Sequence, residues 1–195
     1  MKKVLTLFLV STLSSISFGQ INKSIWDSLR TIETDYYQLK IPYNWREIPP
    51  REGRQTELMF EGSGLVFPSS FNGYPVILTI FMVKQEASDL EDCKNKCLGA
   101  YRANQDREFP ADFNDGELKI KLQSGQEAYI LNTHFFRKTK GLNQSRFDLI
   151  LYSNKAQCGY MYTISVQYAD KQYKFESDNN LSEFAKQLYS YVLLK

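Results

Sequence analysis

The chain has a single histidine, His134, in 195 residues. That scarcity excludes the usual His-rich zinc site. Any acid–base engine built on imidazole must use this one residue. Cysteine is almost as rare, with only Cys93, Cys97 and Cys158. Cys93-x-x-x-Cys97 is not the Cys-x-x-Cys spacing of redox motifs. A thiolate metal site needs more ligands, and Cys158 supplies only a third. Beyond the N-terminus there is no long apolar run, so no other segment approaches the roughly 20 residues of a membrane span. Repeats, low-complexity tracts and linkers are also missing, and a chain of this length then reads as one domain.

Lys2 and Lys3 precede the apolar run Val4–Val10, and Ser17-Phe18-Gly19 follows with small residues at the positions a signal peptidase reads. The pattern predicts a signal peptide over 1–19, cleavage before Gln20, and a mature periplasmic or extracellular domain over 20–195. No cysteine follows the run in a position for a bacterial lipid anchor. Cleavage takes two of the 24 basic residues and so matches the remainder to the 22 acidic ones. A neutral mature chain argues against a nucleic-acid or anionic-membrane binder, since both need excess positive charge. With no second apolar segment, the mature chain is expected to carry no transmembrane segment.

Periodicity supplies the fold. Glu127–Lys138, Arg146–Ser153 and Tyr160–Tyr168 read as three consecutive strands joined by short polar turns. In the last, Tyr160, Tyr162, Ile164, Val166 and Tyr168 alternate with smaller or polar residues, which puts the large set on one face. Tyr36–Ile41 is another alternating strand, closed by Pro42. Val76–Lys84 is apolar on both alternating faces, so it is covered on both. Ile25, Trp26, Leu29 and Ile32 fall at helical spacing, predicting a short helix over Asn22–Glu33 or a leader into the first strand. Ser88-Asp89-Leu90-Glu91 reads as a capping box opening a helix to about Arg107, with Leu90, Cys93, Cys97 and Tyr101 on one face. A last helix is expected over Leu181–Leu193 behind an Asn179 or Asn180 cap. These elements predict an α+β fold: an α/β/α sandwich, a central antiparallel sheet of six or seven strands with helices on both faces.

Candidate chemistry is sparse. His134 lies mid-strand with no accompanying motif, and the plain reading is a partly buried strand histidine with one hydrogen bond. Cys93 and Cys97 point in parallel along a helix face, so a bridge between them fits poorly. A disulfide, if formed, joins Cys158 to Cys93 or Cys97; the alternative is three buried free thiols. Asp112–Glu117 departs from calcium-loop spacing, with glycine one position early and Gln123 in place of the closing glutamate. No cofactor or metal is therefore expected. Arg137, Lys138, Lys140 and Arg146 are read as a basic cluster at a hairpin tip, fit to hold an anion or acidic partner or simply a solvated turn. Trp45 and the 13 tyrosines offer stacking surface for a glycan, although core packing is the commoner role of strand tyrosines.

Asp35-Tyr36-Tyr37-Gln38-Leu39-Lys40-Ile41-Pro42-Tyr43-Asn44-Trp45 resembles the strand, Pro, then Trp entry of PsbP-like domains. The later order agrees: a capped helix after an apolar strand, antiparallel strands ending in the aromatic Tyr160-Met161-Tyr162-Thr163-Ile164, and a C-terminal helix. The resemblance covers about Thr34 to Leu194 and implies an α/β/α sandwich around an antiparallel sheet. It also implies a mostly non-enzymatic accessory or binding role. It carries over no binding residue. The expected function is thus an exported, non-enzymatic module acting on a protein or cell-envelope component. The alternatives are a carbohydrate-binding protein or a hydrolase using His134.

Overall fold

The computed structural model describes residues 28–43, 45–49, 56–62, 70–71, 74–75, 77–109, 116–168 and 185–195. The expected signal peptide over 1–19, Asp112–Asp115 and the expected Asn179 or Asn180 cap lie outside them. In chain order the elements begin with β1 (Leu29–Glu33), β2 (Tyr37–Pro42), β3 (Arg46–Glu47) and β4 (Thr56–Gly62). Next come β5 (Ser70–Phe71), β6 (Tyr74–Pro75), β7 (Ile77–Gln85) and α1 (Leu90–Arg102). The remainder are β8 (Arg107–Glu108), β9 (Gly116–Lys121), β10 (Glu127–Arg137), β11 (Leu142–Ser153), β12 (Cys158–Tyr168) and β13 (Leu193–Leu194). Residues 185–189 are helical.

The fold is mostly β. Its principal sheet has eight antiparallel strands in the order β3-β4-β7-β12-β11-β10-β8, with β9 also paired to β10. The predicted meander β10–β11–β12 is its centre. Gly141 takes φ +63° in the turn between β10 and β11, a conformation that favours glycine. The period-2 pattern sorts the faces as expected. Phe147, Leu149, Leu151, Tyr160, Tyr162 and Ile164 share one buried cluster. Tyr129, Leu131 and Ile150 share another with Cys93, Cys97 and Leu98 of α1.

The α/β/α sandwich is overturned here. One face is covered by α1, as the doubly apolar strand implied. The other is covered largely by a second sheet, β1-β2-β13, with Tyr37, Leu39 and Ile41 in the same cluster as Phe147 and Tyr160. Ala185, Leu188 and Tyr189 of the 185–189 helix complete that layer. Burial on both faces demands a cover but does not say whether the cover is helix or sheet.

Three local expectations change for the same reason, tertiary pairing outranking local periodicity. Leu29–Glu33 is a strand rather than the end of a helix, because Ile32 pairs with Leu39 across a hairpin. The hairpin is closed at Thr34, whose Oγ1 accepts the Tyr37 N–H at 3.1 Å. The first helix ends at Arg102, and Arg107–Glu108 joins β10 as a strand. The last helix does not reach Leu193, which pairs with Gln38 in β13. The α1 cap is shifted by one residue: Asp89, not Ser88, accepts the Asp92 N–H at 2.8 Å, while Asp92 accepts the Ser88 N–H at 2.9 Å. The logic is that of a capping box with an aspartate at either end.

Helix α1 lies close to the sheet because β12 carries Gly159 beneath it. A Cβ at 159 would stand 2.2 Å from the Cys93 sulfur and 3.0 Å from its Cβ. Of the two alternatives left open for the cysteines, the structure has the one without a bridge to Cys158. All three cysteines are free and buried, and Cys158 belongs to the cluster on the face opposite Cys93 and Cys97. Adjacent strand residues point to opposite faces, so the sheet itself separates these thiols.

Candidate functional site

Strand β11 places Arg146 and Asp148 on the face under α1, two positions apart and therefore side by side. Both are buried, Asp148 completely. Three donors converge on its carboxylate. Arg146 donates to Oδ1 at 2.9 Å, the Thr163 hydroxyl of β12 donates to the same oxygen, and the Tyr101 hydroxyl of α1 donates to Oδ2 at 2.5 Å. Arg146 also donates to Thr163 Oγ1 at 3.0 Å. Burial alone would pull the Arg146 guanidinium down, but the charge of Asp148 and the hydrogen bond to it hold it above its usual value. Burial pushes the Tyr101 phenol far up, so it stays protonated and serves Asp148 as a donor.

The Tyr101 ring carries cations as well. The Arg146 guanidinium carbon stands 4.6 Å from the ring centroid and that of Arg107 stands 4.5 Å from it. Arg107 also lies 4.7 Å from the Phe135 centroid, and the two ring centroids are 6.5 Å apart. These distances seat the Arg107 guanidinium in a corner between two aromatic rings inclined at 47°. Phe109 extends the wall, 5.8 Å from Phe135. Arg107 is half-buried, yet its Nε and Nη1 are buried atoms without a hydrogen-bond partner. Burial, then the like charge of Arg146, draws Arg107 down to about 10.

Cross-strand pairing puts Arg137 opposite Arg107 on the same side of the sheet. Arg137 is half-buried and bound through Nε to the Asp106 carboxylate. Asp106 also accepts the Thr139 N–H at 2.7 Å. Thr139 first, then Arg137, holds the Asp106 carboxyl down at about 2. Since the ordinary aspartate value is about 3.9, this contribution to stability is full above that pH. It is lost as pH falls through about 2. Urea unfolding between pH 5 and 2 should show the gap between the native chain and D106N narrowing toward pH 2. A pH-independent gap would remove Asp106 from that role.

The predicted residues separate. Lys138 and Lys140 are exposed at the β10–β11 turn, as expected. Arg146 is no part of that tip: it pairs with Thr133 and Ser165 well inside the sheet. Trp45 is buried in the core at 3% exposure, so it presents no stacking surface. Most described tyrosines are likewise core residues, with Tyr36 and Tyr43 the exposed ones. His134 lies on the opposite face from Arg146, its Nδ1 3.3 Å from Ser145 Oγ. That pair has the outline of a base and nucleophile, but Ser145 is fully buried and cannot meet an incoming carbonyl in this conformation. Among the described residues no group of three or more His, Cys, Asp or Glu is placed to hold a metal.

No protein-family model matches the chain, and no curated protein matches it. Among solved structures it is similar to a protein of Bacteroides thetaiotaomicron VPI-5482, known from a crystal structure, at 12% identity and a TM-score of 0.40. The match covers 82% of this chain and 45% of that one, so this chain spans less than half of its length.

Asp148 and Arg107 escaped the sequence reading. The available signal was Arg146-x-Asp148 inside an apolar strand: alternation alone puts both charges on one buried face. Arg107 sat at the end of an expected helix, so its place beside Phe135 was invisible.

Proposed function

We propose that the chain is an exported, non-enzymatic module that binds a protein or cell-envelope component through the corner formed by α1, β8 and β10. Export is supported by the basic, apolar and small-residue order of residues 1–19. Among the described residues no helix is long and apolar enough to cross a membrane. A binding role is supported by the PsbP-like resemblance of Asp35–Trp45.

The observation that carries the reading is Arg107. Its neighbours Arg137 and Arg146 each have a carboxylate, whereas Arg107 is held by aromatic rings and keeps two donors unpartnered. A buried donor left unmatched costs about 1–3 kcal/mol, so a ligand that fills it gains accordingly. The test is affinity capture from envelope extract with mature chain 20–195 and its R107Q variant, at low and high salt. The expected result is a reproducible partner retained by the native chain and lost by R107Q. Equal capture by both, or none by the native chain, overturns the reading.

A further inference from the structure

We infer that the Arg107 corner is a receptor for an oxyanion, the carboxylate or phosphate group of the ligand; this rests on the binding-module reading. Three arginines share this part of the sheet face, Arg107, Arg137 and Arg146. Asp106 answers Arg137 and Asp148 answers Arg146. Glu108 is exposed and paired with Phe136, which alternation turns to the opposite face. One positive charge therefore remains without a counter-charge among the described residues of this face.

Position and chemistry agree with that charge count. Arg107 lies in the corner of Tyr101 and Phe135, and these rings fix the guanidinium without occupying its in-plane donors. A guanidinium presents paired N–H groups in the geometry of a carboxylate or phosphate edge. Arg107 Nε and Nη1, which belong to its two different donor edges, both lack a partner. The same face carries two more unpartnered polar atoms on side chains more than nine-tenths buried, Arg146 Nε and Thr133 Oγ1. Thr133 is two positions from Phe135 on β10 and pairs with Arg146 across to β11.

The alternative that Arg107 is a purely structural cation makes a different prediction, and side-chain NMR separates the two. The Arg107 Nε–H resonance, assigned by its loss in R107Q, is followed during titration with sodium acetate, then sodium phosphate, against sodium chloride at matched ionic strength. The expected result is a saturable shift with acetate, phosphate or both, weakened at least about tenfold in R107Q when read at neighbouring amides, and retained in K138Q. Acetate alone points to an acidic side chain or small carboxylate, and phosphate alone to a phosphate-bearing ligand. A linear response equal to that of chloride, or one lost equally in K138Q, overturns the oxyanion assignment. If R107Q still loses the captured envelope partner in that case, the binding-module reading stands with a different ligand chemistry. If capture is also unaffected, both fall.

Discussion

Replacing Asp148 with alanine is expected to destabilise the protein by about 3–5 kcal/mol. The substitution leaves the Arg146 guanidinium buried without its carboxylate and removes the acceptor for both Tyr101 and Thr163. For a domain whose total stability is about 5–15 kcal/mol, that is a large fraction. Urea unfolding followed by circular dichroism gives the number. The double variant R146M/D148L should recover much of the loss, because replacing a whole buried pair with apolar residues is often near neutral. A D148A loss under about 1 kcal/mol would mean that the network is solvated and does not fasten α1 to the sheet.

Replacing Gly159 with alanine is expected to cost about 1–3 kcal/mol despite the better strand propensity of alanine. The new methyl would stand 2.2 Å from the Cys93 sulfur, so either α1 lifts or β12 bends. Removing that sulfur in G159A/C93A should return part of the stability, since the Cys93 Cβ at 3.0 Å needs only a small shift. The informative quantity is the coupling: G159A must cost less in the C93A background than in the native one. Strict additivity of the two changes would place the strain somewhere other than this contact.

Sequence reading reached the sheet much further than it reached the site. The β10–β11–β12 meander was legible because alternation, turn residues and length coincide there. β7 announced burial on both faces. What failed was inference across distance. The Ile25, Trp26, Leu29 and Ile32 spacing suits a helix, yet Leu29–Glu33 finds a partner in Tyr37–Pro42, and cross-strand pairing decides the matter. Arg146 looked like a tip residue because the β10–β11 turn was placed too far along; β11 begins at Leu142, and the four-residue difference moves Arg146 from solvent into the core. The Arg107 corner assembles residues from α1, β8 and β10, and no local pattern announces such a meeting.

The second sheet has a consequence for the order in which the molecule is assembled. The β10–β11–β12 meander joins neighbours in sequence, so its loops close at little entropic cost and it can form early. β13 instead brings Leu193 to Gln38, and Lys195 reaches Glu33 across 162 residues. Until residues 193–195 are available, the hairpin β1–β2 lacks its third strand and the tyrosine-rich face it covers has an incomplete lid. The chain thus passes through a stage in which a broad aromatic sheet surface is open while its polypeptide is still being delivered. That interval is the one in which a holding chaperone would find most to grip.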